Sequence, residues 1–314
     1  MNPHVRTRRT LLARHPEIRH LFGPDRRTAI FGFVAMVTQL AIAAMLHTWL
    51  AVLVVAASAG AALSHFAAAV MHEATHNLCA RTTLTNRVIA IGVCLAMPIP
   101  AAMPFRRFHL AHHRHFHDPV RDPDLPSRFE LRWLSRSRLG RVLLLLLQPC
   151  FGLFARKHDR PDRWEVLGTC AQLAMNAAVC LVLGWTALAY LLLCNYFVIG
   201  LHPIAAHFYG EHDIWSTTQQ THSYYGALNA LTLNVGYHNE HHDFPAVAGV
   251  RLPALREIAI EHYGALEAHH SVASIFRAYL RVPPEGYTPP LVRALNGERA
   301  ASNALTTITP SPVK

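Results

Sequence analysis

The chain has 314 residues, of which 52% are hydrophobic and only 15% charged, and it carries 23 histidines and a net charge of +10. A water-soluble domain averages about 25% charged residues, so this composition excludes an ordinary soluble enzyme and a disordered chain. A basic excess suits either nucleic acid or the cytoplasmic face of a membrane; here the arginines fall outside two long uncharged windows, which favours the membrane and sets nucleic acid aside.

Residues 1–27 are polar and Arg-rich and read as a cytoplasmic lead-in, with a helix start at His15-Pro16-Glu17-Ile18 and a turn at Gly23-Pro24-Asp25. Residues 28–72 and 166–210 contain no Asp, Glu, Lys or Arg, and each window is about 45 residues long. One crossing takes roughly 20 residues, so each window predicts a helical hairpin. The turns are expected at His47-Thr48-Trp49 and Gly184-Trp185-Thr186, with Trp at the interface. Residues 89–105 are apolar but broken by Pro98, Pro100 and Pro104, a pattern for a re-entrant or interfacial segment. Residues 142–155 are too short to cross and predict a helix lying on the membrane surface. The expected fold is an all-α membrane protein: two transmembrane hairpins giving four main spans, interfacial helices, and a cytoplasmic cap carrying histidine boxes. The membrane domain with its cap should run over 28–282, followed by a Pro-rich, disordered tail over 283–314. The cysteines lie in or beside apolar stretches without a CxxC and read as reduced structural thiols.

Three histidine clusters stand out. The first is His72-Glu73-Ala74-Thr75-His76, where the two histidines share a helix face. The second is His109-Leu110-Ala111-His112-His113 and the third His238-Asn239-Glu240-His241-His242, both with the spacing H-x-x-H-H. The hairpin topology brings all three to one side, which the positive-inside rule makes cytoplasmic. Imidazole suits Fe, Zn, Cu and Ni, so ligand type does not name the metal. The count says more: one tetrahedral zinc takes three or four ligands, and the eight histidines of these clusters exceed that. Two metal ions are expected. Each cluster also has a plainer reading, as a solvated helix end or a basic interfacial patch, but the three together leave it little room.

The first cluster also matches H-E-x-x-H, in which two histidines bind zinc and Glu73 would act as general base. A membrane zinc metalloprotease is therefore one alternative, though it leaves six clustered histidines unused. A His-lined transporter is another, but transporters place their ligands near the midplane, whereas here only His65 sits well inside a span.

The order H-x-x-x-H, H-x-x-H-H, H-x-x-H-H resembles the membrane fatty acid desaturase and hydroxylase superfamily. Residues 234–245 read Asn-Val-Gly-Tyr-His-Asn-Glu-His-His-Asp-Phe-Pro, which is similar to the sphingolipid delta-4 desaturases (dihydroceramide desaturases), as is the lead-in Leu11-Leu12-Ala13-Arg14-His15-Pro16-Glu17-Ile18. The resemblance covers residues 10–280. It implies a di-iron, O2-dependent enzyme that desaturates a lipid, with His72, His76, His109, His112, His113, His238, His241 and His242 as ligands. Ala205-Ala206-His207 matches a further ligand sequence of the related acyl-CoA desaturases, which makes His207 the expected ninth ligand; Pro203 stands where those relatives use Asn. Glu73, Ala111 and Asn239 depart from the usual residues of the boxes without touching the ligands. The same site could instead run lipid hydroxylation, because the two reactions share the first hydrogen abstraction.

Glu73, Glu240 and Asp243, and beyond the boxes Asp118 or Asp122, are expected to orient imidazoles from behind. Tyr224, Tyr225, Tyr237 and Trp215 are candidates for the headgroup end of a lipid tunnel. His115, His117, His202, His212 and His222 stand close enough in sequence to support the ligands, whereas His4, His47, His262 and His269 need no special role. The sequence carries no cytochrome b5-like segment and no flavin or NAD fingerprint. Electrons are expected from an external carrier, cytochrome b5-like or ferredoxin-like, docking on the Arg-rich face.

Overall fold

The computed structural model describes residues 2–127, 129–131, 136–154, 160–200, 202–212, 216, 219–281 and 292–293. The expected tail over 283–314 thus falls outside the described residues except for 292–293, and Trp215 falls outside them altogether.

The lead-in holds helix α1 (Pro3–Arg14) followed by a 3-10 turn at Pro16–Leu21. The regular helix therefore precedes His15 rather than following it. Asn2 accounts for this: its side chain accepts from His4 N and caps a helix that begins with Pro3. Helix α2 (Arg26–Met45) starts at an Asp25 cap. The expected turn follows, with Thr48 capping α3 (Trp49–Val55). A π turn at Ala56–Gly60 joins α3 to α4 (Ala61–Thr75). Residues 89–105 do not act as one segment. Helix α5 (Thr83–Val93) ends in a 3-10 turn at Cys94–Ala96, and α6 begins at Ala102, beyond Pro98 and Pro100 and with Pro104 in its first turn, and runs to His115. Helix α7 (Arg138–Phe154) covers the stretch expected on the membrane surface. Helix α8 (Arg163–Leu183) opens with an Asp162–Glu165 capping box. It ends at Gly184, whose φ of 87° allows a turn directly into α9 (Trp185–Ile199).

Among the described residues three helices are long and apolar enough to cross a membrane: Arg26–Met45, Trp49–Thr75 and Arg163–Leu183. The fourth expected span is divided. α9 is followed by Pro203–Gly210, bent by 46° from it, where Pro203 cannot continue a helix. This bent piece ends in α10 (Ala206–Gly210). The outer faces of α2 and α8 leave Ile30, Phe31, Val34, Val37, Leu173 and Leu181 exposed. In a water-soluble domain such faces would be covered; here they suit lipid, and the chain is a membrane protein.

Two apolar clusters hold the bundle. One joins Val70, Met71 and Ala74 of α4 to Ile89 and Val93 of α5 and Met103 of α6. The other joins Ala43, Val52 and Val179 to Tyr190, Leu191 and Cys194 of α9. A buried polar knot sets the register between helices. Gln39 Nε2 donates to Gly60 O (3.2 Å) and Ser64 Oγ (3.0 Å), and Tyr190 OH donates to Gln39 Oε1 (3.3 Å). Such bonds contribute about 0.6–2 kcal/mol each between helices in lipid. Within the π turn the Ala57 carbonyl lies 3.0 Å from His202 Nε2.

After Gly210 the chain builds a cap. It contains a short parallel pair, β1 (Ser223–Tyr224) with β2 (Ala268–His269). Helix α11 (His238–Asp243) is almost wholly buried, and α12 (Leu252–Ile258), α13 (Ile260–Tyr263) and α14 (Val272–Tyr279) follow. Leu11 of α1 and Ile18 pack with Phe244, Val247, Leu252, Leu255 and Tyr263, so the N-terminal helix is seated on the cap.

Candidate metal centre

The three boxes lie on α4, α6 and α11. Box one ends α4, where four backbone carbonyls lack helical partners. Arg106 of α6 meets this need: its Nη1 donates to Ala74 O (2.9 Å) and Thr75 O (2.5 Å), and its Nη2 to Asn77 Oδ1 (3.1 Å). A cation at a helix C-terminus is favourable in itself, and the contact draws box two against box one. Glu73 ties box one to the cap, accepting from Gly249 N at 2.9 Å, while its other oxygen lies 3.7 Å from His72 Nδ1.

Eight histidines of the boxes and one beyond them divide into two groups. In the first, Nε2 atoms form a chain of close approaches. His76 and His109 are 2.9 Å apart, and His109–His113, His113–His241 and His241–His72 are each 3.1 Å. The ligand atoms of His72, His76, His109 and His241 all lie within 4.8 Å of one another, as do those of His112, His212 and His242 in the second group. His238 Nε2 lies 2.9 Å from His212 Nε2 and joins that group. The His113 and His242 rings stack at 4.2 Å and connect the two.

Helix geometry explains the division. Residues i and i+4 share a face. In α6 the pair His109 and His113 faces the first group and His112 the second; in α11 the pair His238 and His242 faces the second and His241 the first. Each H-x-x-H-H thus contributes to both groups, in opposite proportion.

Burial holds His76, His109, His113, His212, His238, His241 and His242 well below the usual imidazole range. They are neutral at pH 7, so each ring has one basic nitrogen. Neutral nitrogens packed at about 3 Å lack enough protons to satisfy one another, and His242 Nε2 is buried with no hydrogen-bond partner. A cation meets this need, and the all-nitrogen donor set fits a first-row transition metal.

The carboxylates differ in what they hold. Asp122 Oδ1 accepts from His112 Nδ1 (2.9 Å) and Asp124 N (3.0 Å), and its Oδ2 accepts from His117 N (2.8 Å). A carboxylate only accepts, so the His112 proton sits on Nδ1 and Nε2 is the basic atom. Glu240 is spent otherwise: its oxygens accept from Ser223 Oγ (2.8 Å) and Tyr225 OH (2.7 Å), tying α11 to β1. Asp243 accepts from His4 Nδ1 (2.7 Å) and Tyr263 OH (3.2 Å). Asp118 caps its own turn, accepting from Val120 N and Arg121 N. Tyr225 and Tyr237 pack ring to ring at 5.1 Å beside Glu240, and Tyr224 is buried in the cap.

His207 is not brought into either group. Its Nε2 lies 2.6 Å from His65 Nε2, and its Nδ1 meets Glu211. The second Glu211 oxygen is 3.5 Å from His238 Nδ1, and burial pushes this carboxyl up to about 8. His212, expected only to support the ligands, stands within the second group, and Glu211 beside it had no expected role. Their one signal is the Gly210-Glu211-His212 sequence closing an uncharged window.

A profile of the family described as "Fatty acid desaturase" matches residues 47–273. The chain belongs to this family. The desaturase is 36% identical to sphingolipid delta(4)-desaturase DES1 of Drosophila melanogaster over 291 residues, 90% of each chain. It is 37% identical to the DES1-like sphingolipid delta(4)-desaturase of Arabidopsis thaliana over 283 residues, 88% of this chain and 85% of that one. It is 36% identical to the human sphingolipid delta(4)-desaturase/C4-monooxygenase DES2 over 276 residues, 86% of this chain and 85% of the relative. The protein is therefore an oxidoreductase of the desaturase type acting on lipid. Membership disfavours the zinc protease reading of His72, Glu73 and His76, and Glu73 is occupied in holding Gly249. A hydroxylase as the main activity is likewise not favoured.

Proposed function

We propose that this desaturase is an O2-dependent di-iron membrane enzyme that introduces a double bond into the sphingoid base of a dihydroceramide-like lipid. The observation that carries the reading is the division of the histidines into two buried groups, each fed by boxes two and three. The proposed ligands are His72, His76, His109, His113 and His241 for one ion and His112, His212, His238 and His242 for the other. A pair of irons there would supply the oxidising power that hydrogen removal from an unactivated methylene requires.

The residues of the chain do the rest. Neutral imidazoles leave positive charge on the centre. Asp122 fixes the His112 tautomer, and Arg106 and Glu73 hold box one against α6 and the cap. His207 stands beside the second group through Glu211. Counting the bent pair as one crossing gives four spans, and positive-inside placement puts the cap on the cytoplasmic side. An apolar chain would enter from the bilayer, and electrons would come from an external carrier at the basic face. The delta(4) names of the fly and plant relatives support the sphingoid base as substrate. Lipid mass spectrometry after expression in a host containing dihydroceramide, with a competent electron donor, tests this. The expected product is a sphingoid base lighter by two hydrogens. Unchanged sphingoid bases beside newly unsaturated acyl chains would refute the substrate.

A further inference from the structure

The first turn of α1 reaches the histidine cage from outside the boxes, the spans and the cap helices. Asn2 uses both ends of its amide. Its Oδ1 accepts from His4 N (3.0 Å) and starts the helix, while its Nδ2 donates to His113 O (3.1 Å) in box two. Two residues on, His4 Nδ1 donates to Asp243 Oδ1 at 2.7 Å. The His4 ring lies 5.0 Å from the His242 ring and 4.9 Å from Phe116. Asp243 directly follows His242, is buried, and has Tyr263 OH as its other side-chain partner. A buried carboxylate must be matched by donors, and one of its two comes from the N-terminal helix. Leu11 anchors the far end of α1 in the cap, so the helix is fastened at both ends with its first turn against boxes two and three.

We propose that Asn2 and His4 form a clamp that holds His113 and His242 in ligating position, with His4 a positioning residue acting through Asp243. The inference rests on the two-ion reading above. The groups it joins are the two stacked rings that connect the metal groups, His113 and His242. Loosening the clamp should therefore affect metal loading before it affects the fold.

The test is a Co(II) titration of the purified full chain, followed by absorbance and by metal content per chain. His4→Phe keeps a ring against His242 and Phe116 but removes the donor to Asp243. The apo chain should stay folded with a modestly lowered melting temperature, bind the first ion tightly, and hold the second ion roughly 10–100-fold more weakly, the usual effect of losing an outer partner. His4→Gln, which restores a donor, should recover most of that loss. If His4→Phe does not fold, Asn2→Ala in the same titration decides: it removes the donor to His113 O, so the weakening is expected on the ion that His113 serves, with the other ion held as in the wild type. Two ions bound with wild-type affinity and spectrum by the folded variant would overturn the clamp. Fewer than two ions on the wild type would instead overturn the two-ion reading, and the clamp with it.

Discussion

Asp122 is the carboxylate whose role can be worked out atom by atom. It is buried, and all three groups it meets are donors: His112 Nδ1, Asp124 N and His117 N. Asp122→Asn therefore has no good orientation. With the amide nitrogen at the Oδ2 place, it faces the His117 N–H. With the nitrogen at the Oδ1 place, it faces Asp124 N and pushes the His112 proton to Nε2, the atom needed for metal. A lost outer-shell partner costs about 10–100-fold in metal affinity, which is about 1.4–2.7 kcal/mol. Because Asp122 touches only the second group, the loss should fall on one ion of two. Co(II) titration of the purified protein should show a first step within about threefold of wild type and a second step weakened by that factor. An unchanged second step would refute the assignment of His112 as an Nε2 ligand oriented by Asp122.

Three other outcomes follow from the same geometry. His212→Ala should lose the second ion while His207→Ala keeps both, by metal analysis; a larger loss from His207→Ala would return the ninth place to His207. The apo protein should lose stability as pH falls. Unfolded imidazoles take protons below about 6.5, whereas burial keeps the seven lowered cage histidines well below that value and His117 at about 4. Each contributes up to about 1.4 kcal/mol per pH unit in the window below 6.5, so metal-free melting should drop sharply between pH 7.5 and 5.5, and equal melting at both would contradict this. Gly249→Ala places a Cβ 2.3 Å from Leu233 O and presses on the loop that holds Glu73; it should cost about 1–3 kcal/mol, read as a lowered melting temperature, and an unshifted melt would count against that contact.

Much of the frame was legible in the sequence because it rests on local rules. The uncharged windows predicted apolar helices, and turns fell at Thr48 and Gly184, where a cap and a positive φ are needed. The bend after α9 was less legible, since an apolar window does not say that Pro203 divides it. Spacing also pointed to the histidine boxes as a cluster, but not to their division between two groups. That depends on how α6 and α11 face each other across the cage, which is a tertiary fact. His212, Glu211 and His4 lie outside any spaced motif and reach the centre only through folding, His4 across 239 positions to Asp243. Glu240 showed the converse: a place inside a box did not make it a partner of a box imidazole, because Ser223 and Tyr225 claim it.

Iron counting on the purified, reconstituted chain tests the central claim most directly. Two irons per folded chain, falling toward one in His212→Ala, is the predicted result. A single ion per chain that is insensitive to His212, His238 and His242 would contradict it.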